Sequence, residues 1–344
     1  MCWSVRVVLA SLGCFVTVRV SAADQAWNVR LVGKFRAECE AVYVVGRYAY
    51  IGDGTHLRVL DVSNPTTPVS VGLLGLPGPF VEGIHVSETL ACVADGTAGL
   101  QLVDVTNPTS PTLLGSYDTP GYARDIFVSR GLAYVADGYS GLQIVDVTNP
   151  SSPTLRGFYN TPGYAADVFV ANGMAYIADR SSLQIIDVAN PSSPTFRSSY
   201  GEHDWDEIWN VFVFNGIAFL SDSEVTYPVP PFFRLYFLSV DVRNPDAPRF
   251  LGRYSTATGS AAGSVYISYG LAYVVFGGFR VLDIRNSCAP QLYGYYDPTG
   301  VPFPGEGEVF ACDDLVYMGT RYDGLWIFQY TGPYTPVVLW FFYR

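Results

Sequence analysis

The sequence predicts an all-β protein made of seven repeated units, each with four short antiparallel strands. The chain has 34 Gly and 23 Pro, only 15% charged residues and 25 Tyr, a composition that favours strands and turns over helices. An Asp that ends an apolar run also recurs at intervals of 43, 42, 41, 54 and 42 residues. A period of about 40–45 residues with four strands per unit is typical of a β-propeller blade. We therefore predict a seven-bladed β-propeller. The recurring residues are Asp61, Asp104, Asp146, Asp187, Asp241 and Asp283.

The third unit shows the predicted strands most clearly. Strand a covers Asp125–Ser129, strand b Leu132–Asp137, strand c Gly141–Val147 and strand d Thr154–Tyr159. Each run has 5–7 residues and is bounded by Gly, Asn or Pro. Strands b and c are apolar at successive positions, so both of their faces are expected to be buried between neighbouring blades.

Five of the six recurring Asp residues lead into an Asn-Pro pair. One interpretation is a turn, because Pro ends a strand and Asp or Asn side chains accept hydrogen bonds from nearby backbone N–H groups. The other is a calcium ligand, but one Asp per blade cannot supply the six or more oxygens that calcium takes. We favour the turn. The pairs are Asn64-Pro65, Asn107-Pro108, Asn149-Pro150, Asn190-Pro191 and Asn244-Pro245.

The run Leu142–Val147 (LQIVDV), with Asn-Pro following it, resembles the LVIVD repeat family of exported or surface proteins from bacteria and archaea. The resemblance covers nearly the whole chain after its N-terminal segment. It implies propeller repeats and a location outside the cytoplasm. It implies no particular activity.

Two terminal segments resemble a fourth strand, so either could complete the seventh blade. The simpler interpretation gives that position to Pro336–Tyr343 and leaves Trp27–Phe35 as an extra strand. The alternative is closure by the N-terminal strand, which would tie the ring shut. Both interpretations leave seven blades.

Residues 1–23 have the features of a secretory signal peptide. Arg6 gives a positive start, Val7–Val18 is apolar but short for a membrane span, and Ser21-Ala22-Ala23 offers a cleavage site. Lipidation at Cys14 is a weaker alternative. Residues 24–344 then form a single propeller domain, and no later stretch predicts a membrane helix. We expect a secreted, periplasmic or cell-surface protein.

Charge and cysteine content limit the partners and cofactors. The formal net charge of −11 argues against binding to nucleic acid or anionic lipid, and we expect a monomer. The four remaining cysteines match no zinc spacing, so neither a metal nor another cofactor is predicted. Cys92 replaces the Tyr of other units and is expected to be buried. A disulfide between Cys288 and Cys312 is conceivable on export. The fourth is Cys39.

The first residue of each strand a is expected to line the central channel. Several of these residues are polar, which fits either a channel containing ordered water or a ligand site. The seven positions are Ala41, Gly83, Asp125, Asp167, Asn210, Ser264 and Glu308.

The fifth unit departs most from the repeat, and we expect ligand contacts there. It carries two long predicted loops on one face, 201–209 and 222–233, with aromatic and acidic side chains suited to a sugar or a peptide. Packing of these aromatics onto neighbouring blades is the alternative. The candidate ligand-binding residues are Tyr122, Arg124, Asp125, Tyr164, Asp167, His203, Trp205, Glu207, Trp209, Asn210, Tyr227 and Glu308.

No catalytic motif occurs in the sequence, which has no Gly-x-Ser-x-Gly, no phosphate-binding glycine loop and no His-Glu-x-x-His. We therefore predict no catalytic residue and an exported, non-enzymatic binding module for a protein or glycan. A carbohydrate-active hydrolase or lyase that uses carboxylates such as Asp204 and Glu207 is the alternative. A structural role in a surface layer is a third possibility.

Overall fold

The computed structural model describes residues 25–201, 206–226, 232–256, 262–276, 278–298, 307–321 and 323–332. These residues form 29 β-strands in seven antiparallel sheets, which confirms the predicted seven-bladed β-propeller. No helix within the described part of the chain is long and apolar enough to cross a membrane.

Each of blades one to six contains four strands that follow one another in the chain, from the channel outward. In blades one to three the strands are β3 (Cys39–Val45), β4 (Tyr48–Asp53), β5 (His56–Asp61) and β6 (Val69–Gly75); β7 (Gly83–Ser87), β8 (Leu90–Ala94), β9 (Leu100–Asp104) and β10 (Thr112–Tyr117); β11 (Asp125–Ser129), β12 (Leu132–Ala136), β13 (Leu142–Asp146) and β14 (Thr154–Tyr159). In blades four to six they are β15 (Asp167–Ala171), β16 (Met174–Ala178), β17 (Leu183–Asp187) and β18 (Thr195–Tyr200); β19 (Asp206–Phe214), β20 (Ile217–Thr226), β21 (Phe232–Asp241) and β22 (Arg249–Thr256); β23 (Ala262–Ser268), β24 (Leu271–Phe276), β25 (Phe279–Asp283) and β26 (Gln291–Asp297).

The N-terminal strand closes the ring. Blade seven consists of β27 (Val309–Cys312), β28 (Leu315–Thr320) and β29 (Gly324–Tyr330), and its outer strand is β2 (Val29–Phe35). The interpretation that gave this position to Pro336–Tyr343, which lies outside the described residues, is therefore wrong. Because β2 pairs with β29, the two ends of the chain meet in blade seven and close the ring of blades.

The start of the chain also extends blade six. Strand β1 (Gln25–Trp27) pairs antiparallel with β26 and is the fifth strand of that sheet. The predicted extra strand is thus only three residues long, and the rest of Trp27–Phe35 forms the outer strand of blade seven.

Both faces of the middle strands are buried, as the uninterrupted apolar runs predicted. In β13, Leu142 and Ile144 pack into the cluster shared with blade four, whereas Val145 packs into the cluster shared with blade two. All three are fully buried. Burial of one such side chain contributes roughly 1.5–3 kcal/mol, so contacts between blades account for much of the stability.

The Asp-x-x-Asn-Pro motif forms a turn. Asp146 Oδ1 accepts a hydrogen bond from the backbone N of Thr148 at 3.0 Å, and the same bond recurs after each of the six Asp residues. Asn107 Oδ1 likewise accepts from the N of Thr109 at 3.2 Å. The side-chain oxygens therefore bind the turn's own backbone.

The same turn also joins neighbouring blades. The carbonyl of Pro150 lies 2.4 Å from the position that a Cβ on Gly115 of blade two would take. Gly115 follows a bulge in strand β10, and a side chain there would crowd this carbonyl unless the two blades moved slightly apart. Blade four has Ser198 at this position, and its Oγ donates to the carbonyl of Pro245 at 2.5 Å. The contact recurs at Gly33 with Pro65, Gly72 with Pro108, Gly157 with Pro191 and Gly252 with Cys288.

Blade five corrects the prediction of two long loops. Residues 206–209, 222–226 and 232–233, the described parts of these segments within strands, belong to β19, β20 and β21, which have nine, ten and ten residues against five in the regular blades. Residues 206–208 and 222–226 form pairs in the sheet. Extended pairing satisfies backbone groups that a long loop would leave to solvent.

The cysteines follow the packing prediction. Cys92 is fully buried, as expected for a residue that replaces a core Tyr, and Cys39 is buried too. Cys288 and Cys312 are free, so the conceivable disulfide between them is not formed.

Candidate ligand-binding site

Seven side chains form a closed ring across the central channel. Each lies two residues after the predicted channel-lining position of its inner strand. Each contacts the next around the axis, with ring centroids 4.7–5.3 Å apart. The ring surrounds the channel axis and forms the floor of a cavity of about 430 Å³. Its members are Tyr43, His85, Phe127, Phe169, Phe212, Tyr266 and Phe310.

Sequence reasoning missed this ring, although the signal was present. The residue two positions after the start of strand a is aromatic or His in all seven units. An aromatic residue at one position of every blade has to meet its neighbours at the axis, because all inner strands converge there. Burial lowers the pKa of His85 to about 4, so this member of the ring is a neutral imidazole at neutral pH.

The cavity wall contains the polar residues that begin the inner strands. Four of them accept a hydrogen bond from a backbone N–H of the following blade, one residue after that blade's own first position. Each pair joins two blades around the axis, so these side chains hold the ring together as well as facing the cavity. The bonds are Asp125 from Val168 (3.2 Å), Asp167 from Val211 (2.6 Å), Asn210 from Val265 (2.8 Å) and Glu308 from Val42 (2.7 Å).

Burial keeps part of this wall uncharged. Desolvation, followed by the neighbouring charge of Asp125, raises the pKa of Asp167 well above its usual value. Burial and Asp125 raise the pKa of Glu308 in the same way. Asp167 and Asp125 also share a hydrogen bond. A protonated Asp167 can donate a hydrogen bond to Asp125, which explains how two carboxyl groups can lie next to each other in a buried part of the wall.

An ionic network lies at the cavity mouth. Glu82, whose side chain is 4% exposed, accepts hydrogen bonds from the hydroxyl of Tyr122 at 2.5 Å and from Arg124 at 2.7 Å. Glu40 forms an ion pair with Arg321 at 2.7 Å. Burial and then Glu82 raise the pKa of Glu40 to about 7. The sequence analysis predicted Tyr122 and Arg124 but missed Glu40 and Glu82, although both precede the first residue of an inner strand, as Arg124 does.

A row of stacked side chains leads to the mouth from blade three. We call Tyr139, Tyr164, Arg180 and Trp209 the aromatic row. The Tyr139 and Tyr164 rings meet edge to face at 5.0 Å, and the Arg180 guanidinium lies 4.8 Å from the Tyr164 ring and 4.0 Å from the Trp209 ring. Tyr139 is 80% exposed, whereas Trp209 lines the cavity. The row therefore connects open surface with the recess.

Arg180 occupies a backbone position where the repeat has glycine. The equivalent residues Gly96 and Gly138 have φ of 58° and 56°, and Arg180 has φ of 55°. All three make the same bridge to the next blade. A residue with a side chain loses roughly 1–2 kcal/mol in this left-handed conformation. Strain of this kind is a reason to look for a function at the residue that bears it.

Two N–H donors in the aromatic row lack an acceptor. The Nε of Arg180 and the Nε1 of Trp209 are buried and make no hydrogen bond to a described residue. Buried donors are normally satisfied, so a ligand acceptor would bind favourably here once a small movement of the two side chains exposes their N–H groups.

The structure brings most of the predicted site residues together. Arg124, Asp125, Asp167, Trp209, Asn210 and Glu308 line the cavity. Tyr122 and Tyr164 lie at its mouth. Glu207 is in strand β19, paired with Ser223, and does not line the cavity. His203, Trp205 and Tyr227 lie outside the described residues. Within the described ranges, no group of three or more His, Cys, Asp or Glu residues could hold a metal ion.

The fold and the recess define the class of protein as a seven-bladed β-propeller with a cavity in its central channel. The LVIVD repeat model matches residues 38–74, 80–119, 120–161, 162–202 and 259–298, which together are more than half of the chain. The chain therefore belongs to the LVIVD repeat family, as the resemblance indicated. The matches fall on blades one to four and six, so the lengthened fifth blade lies outside them.

Solved structures share the fold at very low sequence identity. The β-propeller domain of Myceliophteria thermophila Cps50 (Swd1) has a TM-score of 0.66 and 10% identity, with 88% of this chain and 99% of that chain covered. The Neurospora crassa Pan2 WD40 domain has a TM-score of 0.66 and 11% identity, with 92% and 98% covered. U3-55K has a TM-score of 0.67 and 8% identity, with 88% and 98% covered. These likenesses concern the fold alone. No curated protein matches the chain significantly.

Proposed function

We propose that the protein is an exported, non-enzymatic binding module that takes a protein or glycan ligand at the cavity mouth. The observation that carries the proposal is the recess of about 430 Å³, with its aromatic floor and with aromatic and ionic side chains around its opening. Binding pockets are typically concave, largely apolar and furnished with a few oriented polar groups. The polar groups here are held by hydrogen bonds before any ligand arrives.

Rigidity of the mouth supports binding without rearrangement. Glu82 has a partner on each oxygen, and the acids of the wall are bonded to backbone N–H groups of the next blade. A ligand therefore meets side chains that already have one fixed geometry. Such a site binds with less loss of side-chain entropy than a mobile one.

The binding proposal is tested with the full chain and two tryptophan variants. Trp209→Ala removes a cavity-lining ring, and Trp27→Ala removes an exposed ring on the outer strand β1, far from the channel. Ligands found by a glycan array and by pull-down should lose at least about tenfold in affinity with Trp209→Ala and be unchanged with Trp27→Ala. A ligand that both variants keep binds elsewhere and contradicts the proposed face.

Export is tested separately. The support is the signal-like segment 1–23, with its apolar run and small residues before the cleavage point. N-terminal sequencing of material collected outside the cytoplasm should begin after Ala23. Material that still begins at Met1 would contradict cleavage, and a lipid-modified Cys14 would support the lipoprotein alternative.

A carbohydrate-active hydrolase or lyase is the second candidate, and one observation favours it. Glu40 and Glu82 both line the cavity and are close enough to share a hydrogen bond, and the pKa of Glu40 is raised to about 7. A carboxyl group whose raised pKa keeps a proton available near neutral pH is what a general acid in hydrolysis requires. Turnover of a glycan that Glu40→Gln abolishes without weakening binding would establish this function.

A further inference from the structure

We infer that the aromatic row is a subsite for an acidic sugar, in which Arg180 binds the carboxylate of a uronic-acid residue. This inference rests on the proposed binding function and names the chemical class of the ligand. It is carried by the row of four stacked side chains and by the position of Arg180 within it.

Arg180 is presented as a preformed carboxylate receptor. The Tyr164 and Trp209 rings both lie against its guanidinium, 4.8 Å and 4.0 Å away, and restrict the orientation of the group. No described carboxylate lies within ion-pair distance of Arg180, in contrast to Arg124 and Arg321 at the same mouth, which are paired with Glu82 and Glu40. A planar carboxylate matches the parallel donors of a guanidinium edge.

The unsatisfied donors give a second, independent reason. The Nε of Arg180 and the Nε1 of Trp209 are both buried without an acceptor among the described residues, and they belong to stacked groups 4.0 Å apart. A ligand with several acceptor oxygens could satisfy both. A uronic acid has a carboxylate beside ring hydroxyls and therefore offers acceptors of both kinds.

The backbone at Arg180 indicates that the side chain serves a purpose other than the fold. Gly96 and Gly138 make the equivalent bridges in blades two and three without any side chain. The turn thus needs no arginine, and the left-handed conformation disfavours one. Replacement of Arg180 by glycine restores the residue that the repeat itself uses.

A sugar fits this surface better than a peptide does. Tyr139 is 80% exposed and meets Tyr164 edge to face, so flat aromatic surface is open next to the charged group. The apolar face of a sugar ring stacks on such surfaces. The row also runs from open solvent towards the cavity, which suits a chain of linked sugars better than a single compact group.

The experiment compares matched ligands and matched variants of the full chain. The probes are trimers of galacturonate, glucuronate and mannuronate, the same trimers with the carboxylates reduced to alcohols, and a peptide with a free C-terminal carboxylate. The variants are Arg180→Gly, Arg180→Lys and Arg130→Gly. Arg130 is the control because it also has a left-handed backbone, with φ of 53°, but lies in the hairpin turn between β11 and β12 at the opposite end of the blade.

We expect calorimetry to detect a uronate trimer and to detect its reduced form at least tenfold more weakly. Arg180→Gly should lower the affinity for the acidic trimer at least tenfold, Arg180→Lys should lower it less, and Arg130→Gly should leave it unchanged. The melting temperature of Arg180→Gly should equal or exceed that of the natural chain, because the backbone strain is relieved. Affinity should also fall as salt is raised.

Several results would overturn the inference. They are equal binding of acidic and reduced trimers, unchanged binding by Arg180→Gly, binding of the peptide alone, or no binding of any uronate. If another ligand is captured and lost with Trp209→Ala, the binding function holds and only the acidic-sugar assignment fails. If arrays and pull-downs find no ligand at all, both fail.

Discussion

Asp167 offers a sharp test of how the inner wall holds the propeller together. Its Oδ2 accepts a hydrogen bond from the N of Val211 at 2.6 Å, and the residue is 7% exposed. Asp167→Ala leaves this buried N–H without an acceptor, which costs about 1–3 kcal/mol. Asp167→Asn keeps an acceptor oxygen and can donate to Asp125, as the protonated acid does. Blade five has an asparagine in the equivalent position, and Asn210 accepts the inter-blade hydrogen bond from the N of Val265 at 2.8 Å.

The pH dependence separates the two substitutions further. The pKa of Asp167 is raised in the folded protein by burial and by Asp125, whereas it is near 3.8 in the unfolded chain. The folded state therefore binds the proton more tightly, and stability falls as pH rises from about 4 until the carboxyl ionises in the folded protein. Asp167→Asn removes this loss. The stability of the variant relative to the natural chain should therefore increase between pH 5 and pH 8.

Urea denaturation at pH 5 and pH 8 measures both effects on the natural chain and the two variants. The reasoning is refuted if Asp167→Asn is as unstable as Asp167→Ala at pH 5. It is also refuted if the stability of the natural chain does not decline relative to Asp167→Asn between the two pH values. Either result would mean that the inter-blade hydrogen bond or the protonated state has been assigned wrongly.

Two further predictions concern ring closure and the channel floor. Gly33→Ala places a Cβ 2.0 Å from the carbonyl of Pro65 and should lower the free energy of unfolding by about 1–3 kcal/mol, as measured by thermal unfolding. Gly75→Ala is the control, because the nearest neighbour of its Cβ would be His56 at 3.7 Å, and it should cost less than half as much. Equal effects would contradict the role of the blade-seven contact. The natural chain should lose about 1–3 kcal/mol of its free energy of unfolding as pH falls from 6.5 to 4, because the folded pKa of His85 is about 4 and the unfolded chain therefore takes up its proton first. His85→Phe should abolish this loss. Denaturation of both proteins at pH 7 and pH 4.5 measures this loss, and an unchanged pH dependence would show that the imidazole is not buried as described.

Repetition made most of the fold predictable. The interval between Asp104 and Asp146 and the apolar runs around them already required equal units with both faces buried. The role of Asp146 as a turn residue followed as well, because a side chain that bonds its own backbone depends only on local sequence. The strands of blade three consequently begin and end within one residue of the predicted bounds.

The site was predictable only in part, because its geometry depends on distant residues. Asp167 was expected in the channel wall, but its partner Val211 is 44 residues away. Glu82 meets Tyr122 and Arg124 across a gap of 40 residues or more, and no local pattern marks such a pair. The sequence analysis missed Arg180 because its proposed role depends on contact with Trp209, which only the folded structure shows.

The sequence by itself determined the number of blades, their strand order and the chemistry of their turns, since these depend on interactions within one repeat. Only the tertiary structure decided which terminus closes the ring and what fills the channel. Pairing of Val29–Phe35 with the last strand depends on the two ends of the chain meeting after seven blades have formed. The aromatic floor likewise exists because seven equivalent positions converge on one axis, where Phe127 and its six counterparts contact one another.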